Sequence, residues 1–74
     1  MQIEEFKVLG EALFGPRFQM EMSRQLGKNG KTIRNWVAGR YPIPDWVRGE
    51  LINRVRRKRD YLNQILAEHV IIHE

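Results

Sequence analysis

Three glycines divide the first half of this chain. Gly15, Gly27 and Gly39 each come after a run of apolar residues spaced three or four apart. Glycine favours the end of a helix because it enters the left-handed conformation without steric cost. The segment before Gly39 is therefore predicted to form three short helices. In "IEEFKVLGEALF", Ile3, Phe6, Leu9 and Leu13 recur at helical spacing, with Gly10 on the same face. Gly15-Pro16 is predicted to close this helix and open the next, with proline at the first helical position. Phe18, Met22 and Leu26 then recur every four residues up to Gly27. "GKNG" (27–30) is a turn, with Asn29 placed to cap the third helix. From Lys31 onward Ile33, Trp36 and Val37 form one face, and Lys31, Arg34, Asn35 and Ala38 the other.

"RYPIP" (40–44) is predicted to be extended, since a residue before proline is pushed out of helical geometry. Pro44 is expected to open a fourth helix of more than twenty residues, with a bend near Arg59-Asp60 left open. Val47, Leu51, Val55, Leu62, Ile65 and Leu66 line its inner stripe. The β-branched tail after it is ambiguous between helix and strand. No strand-rich segment occurs elsewhere. The expected fold is all-α: a compact four-helix domain with a helix-turn-helix and a long C-terminal helix. The core domain is assigned to 1–59, and 60–74 to a C-terminal extension.

Seventy-four residues leave room for one core, and a chain this short buries only about 60% of its unfolded surface. With no cysteine, there is neither a disulfide framework nor a thiolate metal site. The start, "MQIEEFKVLG", is acidic and broken by charges, unlike a signal or transit peptide. A cytoplasmic protein is expected.

The net charge of +4 is unevenly spread. Residues 1–16 carry Glu4, Glu5 and Glu11 against Lys7. Residues 17–40 carry Arg17, Arg24, Lys28, Lys31, Arg34 and Arg40 against Glu21 alone. Residues 41–59 hold six basic groups against two acidic, and residues 60–74 are acidic again. A focused positive block attracts polyanions, whereas a solubilising surface mixes its signs.

Two short helices joined by a glycine-led turn, the second basic on its outer face, make helix-turn-helix geometry. An α-helix fits the DNA major groove, and its first turns approach the base edges. The stretch "FQMEMSRQLGKNGKTIRNWVAGRYPIP" resembles the helix-turn-helix of the Cro and lambda-type repressor family, the Xre-type regulators. That family's opening Gln, turn Gly, aliphatic anchor and terminal W–x–x–G match Gln19, Gly27, Ile33, Trp36 and Gly39. Two positions depart from the pattern: Ser23 replaces a small apolar residue, and Lys28 an apolar one.

The resemblance implies that Arg17 and Gln19 bind phosphate at the start of helix two. It implies that Asn29, Lys31, Arg34 and Asn35 face the groove, with Arg34 suited to guanine and Asn35 to adenine. Lys28, Thr32 and Arg40 are then phosphate contacts. It further implies a dimeric repressor from a phage or mobile element, a type that includes small regulators associated with anti-CRISPR operons.

"NRVRRKRD" (53–60) spreads five basic side chains over most of a helix circumference, so it reads as a solvated face or a non-specific attractor of DNA backbone. Beyond Val55, the residues Leu62, Ile65, Leu66 and His69 have little domain left to pack against. They are assigned to a dimer interface. A symmetric dimer would present two recognition helices about 34 Å apart. His69 and His73 stand four apart, a two-ligand metal spacing, but no third ligand or general base accompanies them and no metal is predicted. No cofactor is implied, and no nucleophile–base motif points to catalysis. The expected function is a sequence-specific repressor, an autorepressor on a palindromic operator. Two rivals are an antitoxin-like adaptor, whose main partner is another protein, and a DNA-bender of the excisionase kind.

Overall fold

A computed structural model describes residues 1–70. Four helices succeed one another: α1 (Ile3–Phe14), α2 (Phe18–Leu26), α3 (Gly30–Val37) and α4 (Asp45–His69). The expected all-α class and long C-terminal helix hold, with no strand among the described residues. α1 packs on each of the other three helices, and α2 packs on α3.

The core is drawn from every element. Phe6, Phe18, Met22, Ile33, Trp36, Val47 and Leu51 are buried, in the positions their helical spacing predicted. Phe6 sits at the centre, edge-on to Phe18 at 6.1 Å and to Trp36 at 5.9 Å. Aromatic rings prefer this geometry because the positive edge of one meets the negative face of the other. Gly10 makes the α1–α2 approach possible. A Cβ there would lie 2.5 Å from Phe18 Cδ2 and 2.9 Å from Met22 Cε. Ile43 is also buried, which the reading of 40–44 as a plain connecting loop did not foresee. Its side chain plugs the core from the segment between the two prolines, so this loop is anchored rather than loose.

The boundaries differ from expectation at both prolines. α2 begins at Phe18, with Arg17 at its N-cap position, so Pro16 lies in the preceding turn. α4 begins at Asp45, and Pro44 is its N-cap, with extended dihedrals and a carbonyl that accepts from Val47 N at 3.1 Å. A proline has no N–H to lose at either position, so its presence marks a helix start only to within a residue or two. α4 then runs unbroken past Arg59-Asp60. Its first half is held by Val47 and Leu51, whereas Leu62 and Leu66 are exposed. Among the described residues no helix is long and apolar enough to cross a membrane.

Candidate nucleic-acid interface

The α2–α3 unit is fixed by its termini. Gly27 adopts φ 66°, and this lets the Lys28 amide donate back to Ser23 O at 3.0 Å. The Ser23 hydroxyl also donates to the Lys28 carbonyl, bracing the same turn from the side chain. The departure at Ser23 thus has a structural use. Asn29 starts α3 as expected: its Oδ1 accepts from Thr32 N at 2.9 Å. At the far end Gly39, at φ 76°, lets the Arg40 amide donate to Asn35 O at 2.9 Å. A helix of eight residues has little stability of its own. These caps, with buried Ile33 and Trp36, hold it in one orientation.

With that inner face buried, the remaining side chains point outward. Lys31 and Arg34 are exposed, and Asn35 and Thr32 are half-buried at the flanks. Arg34 lies toward α2: it lines a cleft of about 420 Å³ with Gln19, Met20, Ser23 and Gly30. Its Nη1 is 3.2 Å from where a Cβ on Gly30 would stand. The missing side chain of Gly30 thus gives the guanidinium its seat near the start of α3. Arg17, at the N-cap of α2, is exposed.

Several polar groups assigned to DNA already hold partners. Asn29 Oδ1 receives both Thr32 N and Thr32 Oγ1, the latter at 3.1 Å. Its Nδ2 remains to donate, while a phosphate contact by the Thr32 hydroxyl would require leaving Asn29. Asn35 Oδ1 accepts from Arg40 Nη1 at 3.2 Å. Bidentate reading of adenine by Asn35 would therefore use the second lone pair of Oδ1, beside the bond from Arg40. Lys28 places its ammonium 5.7 Å from the Trp46 ring centroid, a cation–π approach across the turn to the start of α4.

The charges sort by location. Of the cations in 17–40, Arg24 alone has an acidic partner among the described residues, Glu21 at 3.6 Å. Elsewhere Lys7 pairs with Glu4, Arg48 with Glu5, Arg54 with Glu50 and Arg59 with Asp60. Arg54 also donates to Gln25, tying α4 to the end of α2. Lys58 gives its ammonium to the Ala12 and Leu13 carbonyls at 2.9 and 3.2 Å, capping α1. The block 53–60 is thus partly structural. Among the described residues, Arg56 and Arg57 are its cations with neither an acidic partner nor a side-chain bond to another helix.

Of the residues assigned to a dimer interface, Leu62, Leu66 and His69 are exposed and Ile65 is half-buried. His73 lies outside the described residues. Among those described, no three His, Cys, Asp or Glu side chains group as metal ligands would.

The sequence reading missed Gly30, Met20 and Trp46 as neighbours of the candidate site. The i, i+4 spacing of Gly30 and Arg34 is the signal for the first, since a helical glycine opens space for the side chain one turn on. Nothing local points from Lys28 to Trp46. Comparison with protein-family models, curated proteins and solved structures finds no match to this chain.

Proposed function

We propose that this chain is a sequence-specific DNA-binding repressor that inserts α3 into the major groove and acts as a homodimer at a palindromic operator. The observation that carries the reading is the distribution of free charge. Arg17, Lys28, Lys31, Arg34 and Arg40 have no acidic partner among the described residues; the last four flank or lie on one capped helix, α3, and Arg17 stands at the N-cap of α2 before it. Leaving cations unpaired on one surface suits a polyanionic partner, because each neutralised phosphate releases counterions. Arg34 is the residue for guanine, with Lys31 beside it and Asn29 and Asn35 at the two ends of the same face. Arg17, Gln19, Lys28 and Arg40 take phosphate. Control in this reading comes from occupancy: the protein competes with polymerase at its own promoter, in the cytoplasm. The resemblance of 18–44 to Xre-type regulators supports a phage or mobile-element setting, and no catalytic step is required.

The test is fluorescence anisotropy on the DNA just upstream of the protein's own gene, with scrambled DNA as competitor, at two salt concentrations. Arg34→Ala should lose about 1–3 kcal/mol on the cognate site and much less on scrambled sequence. Equal binding of wild type to both DNAs would overturn the operator reading. Capture of a different protein by 60–70, together with weak DNA binding, would favour the adaptor instead.

A further inference from the structure

Apart from Lys58, which caps α1, the outer half of α4 contributes little within one copy: no side chain of the helix after Leu51 is buried. Val47 and Leu51 complete the core, but farther along Tyr61, Leu62, Leu66 and Val70 are each about half exposed or more. Beside this stripe, the end of α1 and the middle of α4 form a shallow apolar cleft of about 210 Å³. Ala12, Leu13, Val55, Lys58, Arg59 and Leu62 line it. The hydrogen bonds from Lys58 to the last carbonyls of α1 hold its two walls together.

We propose that α4 pairs antiparallel with the α4 of a second copy, about a twofold axis passing between Asn63 and Gln64. The inference rests on the dimeric part of the proposed function and specifies it. An isologous interface must be self-complementary, each patch meeting its counterpart across the axis. This register satisfies that. Leu62 faces Ile65 of the second copy, and Lys58 faces its His69. Leu66 of the second helix, with Val70 just past its end, then reaches the cleft at the end of α1. Knob and hole lie on opposite sides of the axis at matching distances, so both are filled at once.

Charge selects the same direction. Arg54, Arg56, Arg57, Lys58 and Arg59 occupy the stretch before the axis, where Asp60 offsets Arg59 of its own copy, and Glu68 is the acidic residue between the axis and Val70. Antiparallel helices in this register set Glu68 of one copy opposite Arg59 of the other, at the end of the basic stretch. A parallel pair would align the five cations of one copy with the same five of its partner. Spacing agrees as well. At 1.5 Å per helical residue, the two Leu51 positions, and with them the two cores, stand about 37 Å apart along the paired axes. That approaches the ~34 Å between major-groove faces one turn apart.

The experiment needs no DNA, so its failure and that of the operator reading are separable. Sedimentation of the full chain at tens of micromolar should give a dimer. Leu62→Glu should weaken it at least ~10-fold while circular dichroism stays helical, as expected of a residue central to an interface. The chain has no cysteine, so introduced thiols report pairing directly. Lys58→Cys mixed with His69→Cys should give a heterodisulfide on mild oxidation. Neither variant alone should cross-link, because in this register its own copies are more than ~13 Å apart along the axis. Since losing Lys58 unties the end of α1, Leu62→Cys mixed with Ile65→Cys provides a second readout, the heterodisulfide exceeding either homodisulfide. A wild-type monomer, a homodisulfide from Lys58→Cys, or a dimer unaffected by Leu62→Glu would each overturn the proposal.

Discussion

α3 and the outer half of α4 are both helical surfaces offered to the surroundings, yet the fold treats them in opposite ways. α3 is eight residues long, capped by Asn29 at its start, closed by Gly39, and pinned through Ile33 and Trp36. Its exposed face is polar and positive. The outer half of α4 has no buried side chain after Leu51, and its exposed face carries Leu62 and Leu66. The difference teaches what each surface needs. A face that reads another molecule by hydrogen bonds must be positioned before contact, so its back is fixed in the core. A face that packs by apolar area can be carried on helix continuity alone and gains its order on association.

The comparison breaks most visibly in stability. Trp36→Ala removes a nearly fully buried ring that meets Phe6 edge-on, and should cost about 3–5 kcal/mol in urea unfolding. Leu62→Ala, measured at a concentration where the chain is monomeric, should stay within about 0.5 kcal/mol of wild type. Comparable losses from the two would mean that the outer half of α4 is packed within one copy, and the contrast would fail. On DNA the order reverses. Arg34→Ala should leave urea unfolding nearly unchanged while losing about 1–3 kcal/mol on a cognate operator.

The cap sharpens the point at smaller scale. Asn29→Ala leaves Thr32 N without its side-chain acceptor at the start of α3 and should destabilise by about 1 kcal/mol. Because α3 is then less firmly held, affinity for scrambled and cognate DNA should fall together. A loss confined to cognate DNA would instead identify Asn29 as a base reader in its own right, acting through Nδ2.

How much was legible in the sequence depends on how local each cause is. The ends of α2 and α3 were legible because glycine in the left-handed conformation is a one-residue signal, and Gly27 and Gly39 both adopt it. The core stripe was legible because periodicity exposes which face is apolar. Ile43 was not, since burial of a loop residue depends on what three helices leave open. Helix starts slipped at Pro16 and Pro44 because a missing N–H suits an N-cap as well as the first helical position. Within the candidate interface, the positive charge on 17–40 was plain. The occupancy of Asn29, Asn35 and Thr32 by one another and by Arg40 was hidden, because it is decided by rotamers and by neighbours up to five residues away.

The finest test falls on Gly30. It separates the stability of α3 from the placement of what α3 carries. A methyl group at this position would stand 3.2 Å from Arg34 Nη1 and near nothing else, so the backbone need not move. Alanine is the better helix former, by as much as ~1 kcal/mol in a helix interior and less at a first turn. Gly30→Ala should therefore unfold at the same urea concentration as wild type or slightly higher. The guanidinium, an exposed flexible end, yields instead, shifting by a few tenths of an ångström from its place in the cleft beside Gln19 and Met20. Discrimination between cognate and scrambled DNA should drop several-fold, the scale of a displaced rather than a deleted contact, well under the ~1–3 kcal/mol of a lost bidentate pair. Unchanged discrimination would show that Arg34 reaches its partner without the seat Gly30 provides. Contact by α3 would then be set by the reach of its side chains more than by the shape of the helix start.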